Sequence, residues 1–306
     1  MKSVDALVTG LVDYAGLFPP ASEDMRPALE NYASYLEGPD GKALGRFIVP
    51  ITRIEELEDS ARGLLPRGRR SQPWRVSVLV AEDVRGATDE ILNFNRRHAA
   101  GSRNGAAIID TAELKATSGD EIARQRGDLA SKIPAFFEIP CTGDVSPLVS
   151  RIAKAGARAK IRTGGVTPEA FPPAAAIIDF MAACRRQAVP FKATAGLHHP
   201  LRGEYRLTYQ SDSPKWMMYG FLNVFIAAAL LYSGESEDTA LTVLEESDAS
   251  AFTFEDDAIY CRDKRVTADQ VQACRREFAM SFGSCSFREP IGELAQLTNR
   301  TKSAIQ

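Results

Sequence analysis

The sequence predicts an α/β protein, a closed (β/α)8 barrel of the TIM type, and three observations carry that expectation. Short β-branched or aromatic runs alternate with longer stretches of helical periodicity, the connections between them are short, and no G-x-G-x-x-G follows the first run. Strands alternating with helices imply a parallel sheet covered by helices. The missing dinucleotide fingerprint favours the barrel over an open doubly wound sheet, which stands as the alternative. The chain has 306 residues, and one such barrel takes about 250. A single domain over 1–306 is therefore expected.

The elements follow in order. "GLVDYAGLF" precedes "SEDMRPALENYASYLE", where Ser22 reads as an N-cap with acidic residues in the first turn. "GRFIVPI" precedes "RIEELEDSARGLL", and "WRVSVLVA" precedes "DVRGATDEILNFNRRH". "GAAIIDTAELKA" leads into "GDEIARQRGDLASK", and "PAFFEIP" into "GDVSPLVSRIAKAG". "RAKIRTGG" is followed by "TPEAFPPAAAIIDFMAACRRQ". "PFKATAG" reaches "GFLNVFIAAALLYSG" through 201–216, a long polar connection placed where barrels carry lids or binding loops. Those seven units and an eighth strand in "AMSFGSCSF" (279–287) complete the barrel. The stretch 249–264 breaks the rhythm and reads as a β-hairpin inserted before the last strand.

Composition narrows the function classes. The chain is 44% hydrophobic and 25% charged, with 37 Lys and Arg against 40 Asp and Glu, a net charge of −3. No general nucleic-acid footprint is present. The one basic cluster, Arg67, Arg69 and Arg70, lies between Pro and Gly and reads as a solvated loop. Five cysteines without a C-x-x-C pair suggest neither a zinc knuckle nor a disulfide framework, and fit a reducing cytoplasm. The N-terminal segment lacks the apolar core of a signal peptide. The longest apolar run, 221–232, is shorter than a membrane span and carries Asn223, so a buried core helix is expected rather than a membrane partner.

Active sites of such barrels lie at the C-terminal ends of the strands. Polar residues gather there: Asp13 on the first strand, Asp110, Glu113 and Lys115 on the fourth, and Glu138 on the fifth. The sixth carries Lys160 and Arg162, then Thr163, Gly164 and Gly165; the seventh carries Lys192 and Thr194, then Gly196, His198 and His199. Period-two alternation puts Lys160 with Arg162, and Lys192 with Thr194, on inward faces. Two ammonium groups on adjacent strands in a partly dry cavity should depress the pKa of one, making it a nucleophile for carbonyl carbon. The bland reading is a structural ion pair between Glu138 and Lys160. Arg162 and the Gly-rich turns suit a phosphate or carboxylate. His198 is a candidate acid/base, and His199 a substrate contact. Cys285 has no base near it in sequence and reads as buried and inert.

The combination of "VDYAGLFPPA", "AKIRTGG", "FKATAGLHHP" and "FGSCSFREP" resembles an uncharacterised bacterial family, across nearly the whole chain. "KIRTGG" and "KATAGL" also resemble class I aldolases of the deoxyribose-phosphate aldolase type. In those enzymes a Schiff-base lysine opens a Lys-Thr-Ser-Thr-Gly run on the sixth strand, and a second lysine precedes a Gly-rich turn on the seventh. The resemblance implies that Lys160 is the Schiff-base residue and Lys192 the neighbour that lowers its pKa. Arg162 departs from the pattern, where those aldolases have a small hydroxyl residue, and "GLHHP" replaces their glycine pair. The expected function is thus an enzyme, a lyase of aldolase type, acting on a small anionic carbonyl substrate through Lys160, with Lys192, Glu138 and His198 catalytic. Asp13, Arg162, Thr163, Gly164, Gly165, Thr194, Gly196 and His199 are expected to bind substrate, with no cofactor or resident metal. Two alternatives stay open. One is a metal-assisted lyase or hydrolase using Glu138 with His198 or His199, and the other a non-catalytic barrel that holds a small anion. The expected partner is a small molecule, and homo-oligomerisation is left open.

Overall fold

The computed structural model describes residues 1–68 and 70–305. Arg69 of the basic cluster lies outside the described residues, and Arg67 and Arg70 are exposed on a loop, as a solvated segment should be. The strands β1 (Val12–Tyr14), β2 (Leu44–Pro50), β3 (Trp74–Val80), β4 (Ala107–Lys115), β5 (Ala135–Glu138), β6 (Arg158–Arg162) and β7 (Phe191–Thr194) follow one another around a closed barrel. A hairpin of β8 (Gly203–Arg206) and β9 (Lys215–Met218) comes next, then an antiparallel sheet of β10 (Phe252–Phe254), β11 (Ala258–Cys261) and β12 (Lys264–Thr267). β13 (Ala279–Ser284) closes the barrel between β7 and β1, and all eight pairings are parallel.

The expected barrel is thus the observed one, and the inserted segment lies outside it, with a third strand, β12, beyond the expected hairpin. Helices α1 (Lys2–Val8), α2 (Met25–Glu37), α3 (Ile54–Ser60), α4 (Val84–Arg97), α5 (Gly119–Asp128) and α6 (Ser146–Lys154) surround its first half. α7 (Ala174–Arg186), α8 (Phe221–Ser233), α9 (Glu237–Glu245), α10 (Ala268–Glu277) and α11 (Arg288–Ile305) accompany the rest. The N-terminal α1 packs against α10, a pairing that local periodicity does not announce.

Two local expectations are corrected. Ser22 is not the cap of α2; it stands at φ 48°, and the helix starts at Met25 after Asp24. The polar connection 201–216 is not an irregular loop, because Gly203–Arg206 pairs with Lys215–Met218. The reading of 221–232 as a core helix holds: Phe221 through Leu231 are all buried. Asn223 belongs there because its amide donates to Val243 O and Glu246 O at 2.8 Å each while its oxygen accepts from Arg202 N at 2.9 Å. A buried amide with every strong partner met fastens α8 to the end of α9 at little cost. Among the described residues no helix is long and apolar enough to cross a membrane.

Alternation along each barrel strand sorts core from site. Ile161 and Ala193 are completely buried on the outward faces of β6 and β7, so Lys160 and Lys192 turn inward. β4 adds a refinement. Val76 pairs with Ile109 and Ser77 with Thr111, so Asp110 is the extra residue of a bulge. The bulge resets the alternation: Glu113 enters the barrel, whereas Asp110 is taken by Arg46 and Arg75.

Candidate active site at the barrel mouth

Inside the barrel a line of alternating charges crosses five strands. Asp13 Oδ2 of β1 lies 2.6 Å from Lys192 Nζ of β7, which lies 2.8 Å from Glu113 Oε1 of β4. The other oxygen of Glu113 is 2.8 Å from Lys160 Nζ of β6, and that ammonium lies 2.8 Å from Glu138 Oε2 of β5. Glu138 Oε1 ends the line 3.3 Å from Arg162 Nε. Three carboxylates and three cations leave it neutral. Buried hydroxyls hold the acids in place: Ser281 donates to Asp13 and Ser77 to Glu113, while Arg46 N donates to Asp13 Oδ1. The contact from Lys160 to Glu113 is ionic and poorly angled for a hydrogen bond, which leaves Glu113 Oε2 without a directed donor.

Electrostatics overturns one expectation. Lys160 and Lys192 are direct partners in the register of β6 and β7, yet the Lys160 ammonium is not destabilised. Burial pulls its pKa down, but Glu113 and Glu138 outweigh burial and hold it above the usual lysine value. The missing piece was Glu113, which reaches between the two lysines from β4, on the far side of β5. Burial pushes the Glu113 carboxyl up, and Lys160 and Lys192 together hold it far below the carboxylate range. Asp13 and Glu138 are lowered by the same contest, in which Lys192 and Lys160 respectively are the main opponents of burial.

Above this line opens a cavity of about 730 Å³ at the C-terminal ends of the strands. Glu138, Lys160, Arg162, Gly165, Thr194, Gly196 and His198 all line it, and so does Glu113. Asp13 and Lys192 lie beneath the floor, 0% and 1% exposed, and reach the cavity through Glu113 and Lys160. Of the expected substrate contacts Asp13 is thus out of the cavity's reach, and Thr163, Gly164 and His199 serve the scaffold instead. Thr163 is buried and donates to Ala195 O at 2.7 Å, tying the β6 turn to the β7 turn. Gly164 faces Gly196, whose Cα would sit 2.9 Å from a Cβ added at 164. Gly196 also has φ +75°, so both turns need glycine to pack together. His199 leaves the main cavity, stacking on Tyr205 with ring centroids 3.6 Å apart and meeting Glu293 at 2.9 Å, beside a second cavity of about 260 Å³.

The two histidines therefore do not converge with Glu138 as a ligand set, and no group of three or more His, Cys, Asp or Glu among the described residues is placed to hold a metal ion. His198 instead has Cys285 as a neighbour, Nδ1 to Sγ 3.9 Å, and Glu289 at 3.6 Å. Burial lowers the His198 pKa, but the thiol and Glu289 raise it to about 9. The reading of Cys285 as isolated from any base is thus corrected: the base comes from the loop after β7, 87 residues away in sequence. Comparison with known proteins adds no relative, since no family model, curated protein or solved structure matches the chain.

Proposed function

We propose that the barrel mouth houses an imine-forming lyase of aldolase type, acting on a small anionic carbonyl compound with Lys160 as the nucleophile. The observation that carries this reading is the placement of Lys160 Nζ at the cavity floor between two carboxylates, each 2.8 Å away. Imine formation needs a neutral amine, an acceptor for its proton, and an acid to remove water from the carbinolamine. Glu138 or Glu113 takes the ammonium proton when a carbonyl displaces one ion-pair contact. The amine then adds to the carbonyl carbon, and the protonated carboxyl returns its proton to the hydroxyl that leaves as water. Lys192 and Asp13, hydrogen-bonded behind Glu113, supply charge compensation while that proton moves. Arg162 is half exposed at the rim and suits a carboxylate or phosphate on the substrate. An iminium withdraws electrons from the neighbouring carbon, which allows a carbon–carbon bond next to it to form or break.

Because the proton moves within the network, reactivity needs no lysine of depressed pKa. Borohydride trapping with a panel of small aldehydes, keto acids and keto sugars, followed by peptide mapping, tests the reading. Lys160 should be labelled at a rate nearly independent of pH between about 6 and 8.5, since the raised lysine and lowered carboxylates do not titrate there. No labelled lysine, or label on Lys192 in place of Lys160, would overturn it. A second reading, a non-catalytic barrel that holds an anion at the rim through Arg162, follows if the saturation of both lysines with carboxylates keeps them from reacting, and the same experiment separates the two.

A further inference from the structure

The wall of the cavity beside β7, where β13 closes the barrel, carries a second group of reactive side chains that imine chemistry does not use. Cys285 follows β13 directly, three residues before α11 begins, and its side chain lines the main cavity together with His198. Sγ lies 3.9 Å from His198 Nδ1, and the same nitrogen lies 3.6 Å from Glu289 Oε2, on the first turn of α11. Tyr209, from the tip of the β8–β9 hairpin, donates to Glu289 at 2.8 Å and has its hydroxyl 3.8 Å from Sγ. His199 stands beyond Glu289 and is itself engaged by Glu293. Arg288, next along α11, is turned away over the Tyr35 ring. Two segments far apart in sequence thus converge on one thiol: the loop after β7 with the β8–β9 hairpin, and the end of β13 with the start of α11.

We propose that Cys285 and His198 form a nucleophile–acid pair that adds reversibly to small aldehydes in the main cavity. The pairing supports it on chemical grounds. A cysteine beside an imidazolium near a helix N-terminus is the environment in which thiols become nucleophilic. Glu289 holds the imidazole in the charged form, and burial of the pair keeps bulk water from competing for the proton. The step balances without a co-reactant. The sulfur pair forms a bond to the aldehyde carbon, the carbonyl π pair moves to oxygen, and the His198 imidazolium gives that oxygen a proton. The thiol proton replaces it on Nδ1, which restores the imidazolium and leaves a thiohemiacetal. Acyl transfer would need in addition a leaving group and an acid to protonate it. Addition to an aldehyde needs the nucleophile and one proton donor, both of which are present. Although Cys285 is 5% exposed, the accessible part faces the cavity and not the outer surface, so access is restricted to molecules that fit there.

This proposal does not rest on imine formation at Lys160, and two measurements keep them apart. The first is alkylation of the folded protein by iodoacetamide, followed at Cys285 in wild type and in its variants. A cysteine that gives its proton to a neighbour reacts about fivefold faster near pH 6.5 than an unassisted thiol, because the larger thiolate fraction is partly offset by lower intrinsic nucleophilicity. Near pH 6.5, where His198 keeps its proton, Cys285 in wild type should react at the faster rate. In His198→Gln the rate should fall about fivefold near pH 6.5 and climb through the ordinary thiol range. Glu289→Gln, which leaves the imidazole in place, should lie between. The second measurement is 13C NMR with glycolaldehyde labelled at the carbonyl carbon. Wild type should show a tetrahedral S–C–O carbon that is lost in Cys285→Ser and kept in Lys160→Ala. Any imine carbon should behave the opposite way. An unassisted-thiol pH profile in wild type, or no tetrahedral adduct carbon sensitive to Cys285→Ser, would overturn the proposal, whatever the fate of the imine.

Discussion

Glu113→Gln is the most informative single perturbation of the barrel interior. It keeps the shape of the side chain and removes the negative charge that stands between two buried ammonium groups. Each of its two contacts is 2.8 Å long. With an effective dielectric of about 20, each attraction amounts to roughly 6 kcal/mol before desolvation is counted. Burying the three charges cancels most of that sum, and removal of one partner from a buried pair costs about 3–5 kcal/mol net. The lower end applies here, because Asp13 and Glu138 remain to hold one lysine each and the Gln oxygen still accepts from Ser77. A loss of about 3 kcal/mol is large against a total stability of about 5–15 kcal/mol, yet leaves the chain folded. Urea unfolding at neutral pH reads it directly. The substitution also removes the chief attraction that holds the Lys160 pKa up, while burial, which lowers it, stays. Borohydride trapping of a small aldehyde should therefore change from nearly flat to rising with pH in the neutral range. A stability loss under about 1 kcal/mol would mean that Glu113 does not sit between two charged lysines. An unchanged trapping profile would mean that it does not set the Lys160 proton.

Two further outcomes follow from the same geometry. The carboxylates of the network have lowered pKa values, so their stabilisation is present above the unfolded values of 3.8 and 4.5 and is lost as pH falls through the lower folded ones. Lys160 is raised, so its share is complete below 10.5 and is lost as pH rises beyond. His198 is raised from 6.5 to about 9, so between those values stability should decline by up to about 3 kcal/mol. Urea titrations across pH should show that decline in wild type and a level line in His198→Gln; a level wild type would refute the raised imidazole. Gly45→Ala would set a Cβ 2.3 Å from Asp13 Oδ1, an oxygen held by Arg46 N. Expelling that carboxylate should cost about 2 kcal/mol and slow trapping. Gly127→Ala, at a helical position with open space, should gain a few tenths to about 1 kcal/mol. If the two variants are equally stable, Asp13 is not confined as described.

What the sequence determined by itself is the part of the molecule governed by local periodicity. The strand and helix rhythm, the inward turn of Lys160 and Lys192, and the apolar helix at 221–232 all follow from side-chain spacing along one element. The gathering of polar residues at strand ends also made the barrel mouth legible as the candidate site. The tertiary structure decided what stands opposite. Glu113 enters the line because a bulge at Asp110 resets the alternation of β4, and a one-residue bulge leaves no mark in a hydrophobic pattern. Lys160 and Lys192 are neighbours on adjacent strands, as alternation requires, yet their electrostatics are set by a carboxylate reaching across the barrel. Closure of the barrel, not proximity in sequence, puts it there. Cys285 and His198 are likewise brought together by the pairing of β13 with β7, and the adjacent His199 is drawn away by Tyr205 and Glu293. Charge interactions depend on distance through space, and that distance is fixed by how the strands close on one another. A linear reading identifies groups able to react; closure decides which of them share a proton.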